Sequence, residues 1–286
     1  MAELAPSLLY GCITHGPLWI EMPPGVELLR LGAAQDAVAG GYTLRELAPE
    51  WEAHHPVVGG TIGAFAMKAL VLRQPRRPAR VGLCQYRKFV TRTRVARERA
   101  RGYYRVMEAL PRQDVDAQRL ANWLQPGDAA FVVCPPFRMH REGGYLGQYG
   151  SHHFAEDFLR FTAEAVELGV IDGRDAARFM AETVFIPGGV ELGVYPTDFW
   201  LPAISAIEDV VRVCVRRYPT AREGTQARVW AYCAERLGSW LLVRHFRGAS
   251  TAADPPWRWP WHWRRRVAGH MNLILDDGQA QYHVGR

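Results

Sequence analysis

The chain has 286 residues, of which 48% are apolar and 22% are charged, a composition typical of a folded globular protein. No run of about 18 apolar residues occurs and no basic leader precedes the first apolar stretch, so we expect neither a membrane-spanning helix nor a signal peptide. The five cysteines are scattered without a C-x-x-C pair. This pattern argues against a disulfide framework or a cysteine zinc site and favours a reducing cytoplasm.

The net charge of +6 is distributed unevenly along the chain. Residues 73–105, the basic segment, contain twelve Arg or Lys and a single acid, Glu98, so the segment carries +11 and the rest of the chain −5. Such a block predicts an anionic partner: phosphate, nucleic acid or lipid head groups. Because Arg replaces Lys at all but two positions of the chain, the arginine count alone carries little weight.

Short apolar runs alternate with helical patterns in the first half of the chain. From hydrophobic periodicity and turn residues we predict strands at 8–14, 26–31, 80–84 and 129–134, and helices at 60–72, 93–110 and 115–124. Asp114 is placed to cap the last of these helices.

The second half is more helical. The same patterns predict helices at 153–168, 172–180, 202–217 and 226–246, and a strand at 190–195. Interleaved strands and helices indicate an α/β fold whose mostly parallel sheet is flanked by helices, with a helical C-terminal half. We expect a single α/β domain over residues 1–250 and a Trp/Arg/Pro-rich C-terminal arm over 251–286.

Polar residues follow two of the predicted strands. The run Val81 to Cys84 ends in Gln85, Tyr86, Arg87 and Lys88, and the first strand ends in Thr14 and His15. Ligands of parallel α/β sheets bind at the carboxyl ends of the strands, so these residues are candidates for one site. A solvated strand end, or pairing with an acidic helix, is the alternative for the two cations, and a turn histidine bonded to backbone is the alternative for His15.

Several segments, taken in order, resemble a family of bacterial glycosyltransferase-like proteins of capsular and exopolysaccharide biosynthesis. Its hallmark, G-L-C-H-Y-R-R-Y, stands here as GLCQYRKF at 82–89. Further similarities, in chain order, are Tyr10, Thr14 and His15; Gln148-Tyr149 with His152-His153 and Asp157-Phe158; and Glu235-Arg236-Leu237 with Ser239 and Trp240-Leu241.

The resemblance implies a nucleotide-sugar-transferase-like, GT-A-like fold, with a nucleotide-sugar donor and a saccharide or lipid-linked acceptor as partners. The chain departs from the family pattern at Gln85, where the family has His, at Lys88, where it has Arg, and at Glu191-Leu192-Gly193, which lacks the family's Asn. These departures leave open a divergent, non-catalytic member of the family.

Glycosyl transfer expels a nucleoside diphosphate, and enzymes stabilise its growing charge with a metal or with fixed cations and amides. The strand end at 85–88 holds no carboxylate, so we hypothesise a metal-independent site. Arg87 would grip the diphosphate with its planar fork and Lys88 would add a point charge. Gln85 and Tyr86 would hydrogen-bond sugar or phosphate oxygens, and His15 would contact the nucleotide.

Two motifs have a metal-binding interpretation. Asp114-Val115-Asp116 is the single Asp-x-Asp of the chain and could hold Mn²⁺ or Mg²⁺, but it precedes a predicted helix, so capping is the favoured interpretation. His54-His55 is a weaker candidate because no third ligand lies near it in sequence.

Other polar residues are candidates for the acceptor side. His153 and Asp157 are four residues apart in a predicted helix, where they would share one face and act as the catalytic base, or serve only the start of the helix. Glu191, Glu235 and Arg236 have a structural or substrate-binding interpretation, and a buried ion pair is the leading one for Glu235-Arg236.

In the C-terminal arm, four tryptophans alternate with Arg, Pro and His, and three arginines follow them. Trp favours the bilayer interface and Arg favours anionic lipid heads, so we expect peripheral contact with the inner face of a membrane, or else packing of the rings on the core. The residues are Trp257, Trp259, Trp261, Trp263, Arg264, Arg265 and Arg266.

A nucleic-acid-binding protein is the competing function. The basic segment interleaves aromatic residues such as Tyr86 and Tyr103 with its arginines, as single-strand binders do. No recognised nucleic-acid motif accompanies it, so the sequence favours the glycosyltransferase.

Overall fold

The computed structural model describes residues 8–100, 106–139, 143–219, 222–248 and 267–276. Within these ranges the strands are β1 Leu8–Thr14, β2 Val26–Arg30, β3 Tyr42–Thr43, β4 Arg80–Gln85, β5 Lys88–Thr91, β6 Glu98–Arg99, β7 Met107–Pro111, β8 Val132–Val133, β9 Phe137–Arg138, β10 Val184–Phe185, β11 Gly193–Pro196 and β12 His270–Leu275.

Ten α-helices are assigned in the same ranges: α1 Ala34–Ala37, α2 Leu44–Leu47, α3 His55–Val58, α4 Thr61–Arg73, α5 Ala117–Trp123, α6 Gly144–Gly150, α7 Ala155–Glu167, α8 Ala176–Met180, α9 Thr197–Arg217 and α10 Val229–Gly248. Four short 3₁₀ helices accompany them, at Pro49–His54, Arg112–Asp114, Gly173–Asp175 and Gly224–Arg228. None of the helices described combines the length and the apolar character that crossing a bilayer requires.

The central sheet has the strand order β3-β2-β1-β4-β5-β12-β7-β6, with β11 and β8 attached beside β4. Strands β3, β2, β1 and β4 run parallel, and β12 runs parallel to β7. The predicted fold class is therefore confirmed: an α/β fold with a mainly parallel central sheet and a helical second half.

The parallel strands are built from near-continuous apolar runs, as expected where helices cover both faces of a sheet. β1 reads LLYGCIT and its last five residues are buried. Close packing demands glycine at one point, because a Cβ at Gly82 would lie 2.2 Å from the ring of Tyr10. The core continues into the helical half, where Trp200, Trp230 and Trp240 are fully buried.

The strand β1 has the predicted bounds, whereas the predicted helix at 93–110 is wrong. Residues 107–111 form β7 instead, and Met107 pairs with Met271 of β12. The stretch 93–110 has helical composition, but the parallel ladder with a distant strand overrides the local propensity. β12 itself lies in the stretch assigned to the arm and sits between β5 and β7.

Candidate functional site

The ends of β1 and β4 meet, as the sequence predicted. Tyr86 and Arg87 form the turn that joins β4 to β5, and the backbone N–H of Tyr86 donates to the carbonyl of Ile13 at 3.0 Å. The carbonyl of Arg87 accepts from the N–H of Ile274 at 2.8 Å, which fixes the turn on its other side. The turn therefore presents its side chains beside His15, the residue that follows β1.

We define the strand-end site by the side chains that converge here: His15, His55, Tyr86, Arg87, Lys88 and Arg228. The imidazole of His15 lies 5.2 Å from the ring of Tyr86 and 6.2 Å from that of His55. The Arg228 side chain lies against Gly59, the residue that follows α3. A Cβ atom built on Gly59 would be 3.4 Å from Cδ of Arg228.

Aromatic rings, not carboxylates, hold the guanidinium of Arg87. It lies 5.7 Å from the ring of Trp19 and 5.6 Å from that of Tyr86, within the range of cation–π attraction. Among the described residues, no carboxylate oxygen lies within 4.0 Å of Arg87 or Lys88. Arg87 is therefore not paired with an acidic helix in this part of the chain, whereas Lys88 lies in the field of Glu235 on helix α10.

Burial, assisted by nearby cations, keeps His15 neutral. Burial, and after it the charges of Arg228, His55, Arg87 and Lys88, lower the pKa of His15 from 6.5 to about 4. Burial and then Arg228 also lower the pKa of His55. The Nδ1 atom of His15 is buried and has no hydrogen-bond partner within the described ranges. At neutral pH the site is thus a cluster of three cations around uncharged imidazoles.

Two carboxyl groups lie behind the cations. Burial, then the charge of Glu235, raise the pKa of Glu191 to about 8, while the hydrogen bond from Thr61 opposes the shift. The Thr61 hydroxyl contacts both oxygens of Glu191, at 3.0 and 3.1 Å. The Glu235 carboxylate accepts from the N–H of Gly188 at 2.8 Å. Burial lowers the pKa of Lys88, and the charge of Glu235 opposes that change.

The predicted shared helix face of His153 and Asp157 is wrong, because α7 begins only at Ala155. Asp157 is fully buried and forms an ion pair with Arg222. The ring of His153 stacks on Tyr232 at 4.3 Å, and its Nδ1 lies 3.0 Å from the side-chain oxygen of Gln226. Tyr232 lies on α10 one turn beyond Arg228, so His153 packs on the same helix that follows Arg228 of the strand-end site.

Glu235 and Arg236 are consecutive in α10 but have different surroundings. The Arg236 guanidinium is buried over the ring of Tyr149, donates to the carbonyl of Tyr232 at 2.7 Å, and bonds the side chain of Gln148. Consecutive residues of an α-helix point about 100° apart, so the two side chains of α10 face different surroundings. Glu235 faces the strand-end site.

The Asp-x-Asp motif is a helix cap, as favoured, but the capping residue is Asp116 and not Asp114. Its carboxylate accepts from the N–H of Arg119 at 2.7 Å at the start of α5. Asp114 instead lies in a 3₁₀ turn, where its carbonyl accepts from Arg119. No group of three His, Cys, Asp or Glu residues with metal-binding geometry occurs in the described ranges.

The described part of the basic segment, residues 73–100, is spread over several elements. Its residues are divided among the end of α4, β4, β5, β6 and the loops between them. Several of its arginines contact acids or carbonyls elsewhere in the chain: Arg77 with Asp198, Arg80 with Gly127, Arg92 with Asp128 and Arg94 with Glu108. The nucleic-acid interpretation, which depended on this segment, gains no support from this arrangement.

The tryptophans and arginines at 257–266 lie outside the described residues. Another predicted site residue, Gln85, is the last residue of β4. Its side-chain amide lies near Gly60: a Cβ atom built on Gly60 would be 3.6 Å from Nε2 of Gln85. It is thus beside the strand-end site, as expected.

With this geometry known, comparison with known proteins is informative about the fold. No family model matches the chain, and no curated protein matches it. The solved apo structure of WbbM, a bifunctional glycosyltransferase, superposes with a TM-score of 0.68 over 94% of this chain, at 10% sequence identity.

The chain has a glycosyltransferase-like fold. It spans 45% of the WbbM chain, and the low identity restricts the comparison to architecture. The glycosyltransferase-like α/β fold expected from sequence is thereby confirmed, whereas the particular family that the motifs resemble is not matched.

Sequence reasoning missed Trp19 and Arg228 and gave His55 only a metal-binding interpretation. Each lies on an element far in sequence from the motif at 85–88, so local patterns did not connect them. One signal was present: Arg228, Tyr232 and Glu235 are spaced four and then three residues apart, which places them on one face of a helix.

Proposed function

We propose that this chain transfers a glycosyl group from a nucleotide-sugar donor to a hydroxyl acceptor. The observation that carries the proposal is the cluster of Arg87, Lys88 and Arg228 around the neutral imidazole of His15, at the carboxyl ends of β1 and β4. Ligands of α/β sheets bind at this edge. Within the described residues no carboxylate lies within 4.0 Å of Arg87, which leaves its guanidinium available for the diphosphate of such a donor.

The cations would act on the leaving group. When an acceptor oxygen bonds to the anomeric carbon, the bond from that carbon to the diphosphate breaks and negative charge grows on the phosphate oxygen. Arg87 would hold two phosphate oxygens with its fork, while Lys88 and Arg228 would add charge. Gln85, Tyr86 and neutral His15 would hydrogen-bond the phosphate or sugar oxygens. In this proposal the three cations do the work that a divalent ion does elsewhere.

His153 is the proposed base for the acceptor hydroxyl. Burial is the main cause that lowers the pKa of His153, so the imidazole is neutral at pH 7 and able to accept a proton. The charge of buried Asp157 acts in the opposite direction and would stabilise the protonated ring that forms. This assignment keeps both residues predicted from sequence but gives Asp157 a supporting role.

The acceptor would be a saccharide, free or lipid-linked, in the synthesis of bacterial surface polysaccharide at the inner face of the membrane. Support for this setting comes from the motif order quoted above and from the Trp/Arg composition of 257–266.

The Arg87→Ala variant tests the proposal by titration calorimetry with nucleoside diphosphates and nucleotide sugars. We expect the wild-type chain to bind at least one of them without added Mn²⁺. The variant should lose about 10- to 100-fold in affinity, because charge-assisted hydrogen bonds contribute about 1.5–3 kcal/mol.

Arg76→Ala is the matched control. It removes the same charge from an exposed position that precedes the amino end of β4, away from the strand-end site. It should bind as the wild type does. Equal affinities of Arg87→Ala and wild type would overturn the role of Arg87, and binding only in the presence of Mn²⁺ would overturn the metal-independent arrangement.

A further inference from the structure

A second, polar groove lies beside the strand-end site. It has a volume of about 490 Å³, within the range of small-molecule sites. One wall is the segment after β1, with Trp19 and Glu21, and the other is the turn between β7 and α5, with Arg112, Gln113 and Asp116. We call it the Trp19 groove.

The groove opens at the same edge of the sheet as the strand-end site. β4 is antiparallel to β5, β5 is antiparallel to β12, and β12 is parallel to β7, so β7 runs in the direction of β4 and β1. Both walls follow the carboxyl ends of strands with this direction. The groove therefore lies along the same sheet edge as the strand-end site, on the far side of the β4–β5 turn.

Trp19 joins the two regions physically. Its ring lies 5.7 Å from the guanidinium of Arg87 and meets the ring of Tyr86 edge-on at 6.0 Å. Its carbonyl accepts from Nε of Arg112 at 3.0 Å, and Arg112 also lies 4.0 Å from the carboxylate of Asp276. The two walls of the groove are thus joined by a hydrogen bond, and the Trp19 wall also contacts the β4–β5 turn.

The lining has the chemistry of a saccharide site. A half-exposed indole provides a flat apolar surface for the C–H face of a sugar ring, and carboxylate, amide and guanidinium groups can accept from and donate to hydroxyls. The lining carries charges of both signs, Glu21 and Asp116 as well as Arg112, and this mixture disfavours a polyanion. This contrasts with the cationic strand-end site, so the two regions would take different parts of a reaction pair.

We propose that the Trp19 groove is a subsite for the part of the acceptor that extends beyond its reacting hydroxyl, and that it binds an uncharged saccharide unit through Trp19, Glu21 and Gln113. The proposal deepens the proposed glycosyl transfer, in which His153 takes the proton of that hydroxyl, and it rests on that function for the identity of the saccharide as acceptor. Saccharide binding in the groove can be measured without any donor.

The test uses ¹⁵N-labelled full-length chain and titration with methyl glycosides of common hexoses and of N-acetylhexosamines. The indole N–H signal of Trp19 is identified as the one missing in Trp19→Phe. We expect at least one glycoside to shift this signal with saturation, and Glu21→Ala and Gln113→Ala to weaken that binding at least fivefold. Both side chains are exposed, so the variants should fold as the wild type does.

The matched control is Gln125→Ala, an exposed amide just beyond the far end of α5, which should leave glycoside binding unchanged. Nucleoside diphosphate affinity is measured in parallel by calorimetry and should change less than twofold in Glu21→Ala and Gln113→Ala. A lost diphosphate affinity in these variants would assign the groove to the donor's nucleoside and overturn the proposal. Absence of any glycoside-dependent shift at Trp19 would overturn it as well.

The two proposals fail separately. Glycoside binding without any diphosphate binding in the wild type would keep the saccharide groove and remove the transfer reaction. Diphosphate binding at Arg87 without a glycoside response would do the reverse.

Discussion

The buried carboxyl of Glu191 permits a quantitative test of the electrostatics behind the strand-end site. It is 8% exposed, and burial together with the charge of Glu235 raises its pKa from 4.5 to about 8. The Glu191→Gln variant keeps the shape and an oxygen that can accept from Thr61, but it carries no titrating proton. The variant therefore isolates the free energy that this one ionisation contributes to stability.

The sign follows from proton binding. In the unfolded chain the carboxyl loses its proton near pH 4.5, whereas in the folded protein it keeps the proton up to about pH 8. Between these values the folded state holds the extra proton, so a rise in pH lowers the free energy of unfolding by about 1.4 kcal/mol per pH unit. Over the whole window this amounts to about 5 kcal/mol, an upper value. The Glu191→Gln variant has no titrating carboxyl at this position, so its free energy of unfolding does not fall in this way as the pH rises.

Urea unfolding of wild type and Glu191→Gln at pH values from 5 to 9 measures the effect. We expect the stability of the variant relative to wild type to rise by about 3 kcal/mol between pH 5 and pH 7, and to level off above pH 8. Glu223→Gln, which changes an exposed carboxylate, should follow the wild type at every pH. A stability difference between Glu191→Gln and wild type that does not vary with pH would refute the reasoning.

Two further predictions concern the strand-end site and the arm. The imidazole of His15 should titrate near pH 4 in NMR spectra, because burial and then the neighbouring cations lower its pKa. A midpoint at 6 or above would show that His15 is neither buried nor surrounded by cations as described. Replacing Trp257, Trp259, Trp261 and Trp263 by Ser should reduce flotation with anionic liposomes by tenfold or more if these rings contact the membrane, whereas unchanged flotation would exclude that contact. Substitution is preferable to deletion of the arm here, because a deletion would remove β12 from the sheet.

The sequence predicted the elements whose signal is local. β1 and β4 are continuous apolar runs that stop at polar residues, and both the bounds and the meeting of their ends follow from that pattern. Helix α4 is likewise visible in its Ala- and Leu-rich composition. The cationic turn at Arg87 was therefore within reach of sequence reasoning.

The remaining features depend on partners distant in the chain. Residues 107–111 have a composition that suits a helix, and only pairing with 271–275 makes them a strand. Trp19 meets Arg87 because β1 and β4 are neighbouring parallel strands, so the segment after β1 lies beside the β4–β5 turn, but the spacing of the sequence does not show which residue of that segment makes the contact. The helix start at Ala155, two residues later than predicted, was enough to take His153 off the face of Asp157.

The insertion of β12 between β5 and β7 has a consequence for biogenesis. Until the ribosome has released residues 270–275, β5 and β7 cannot be bridged, and each displays a row of unsatisfied amides and carbonyls toward the other. A nascent polypeptide halted after α10 would thus expose the unpaired edges of two strands and be prone to self-association. Since the Arg87 carbonyl accepts from the N–H of Ile274, β12 also fixes the β4–β5 turn, so the strand-end site is complete only when β12 has joined the sheet.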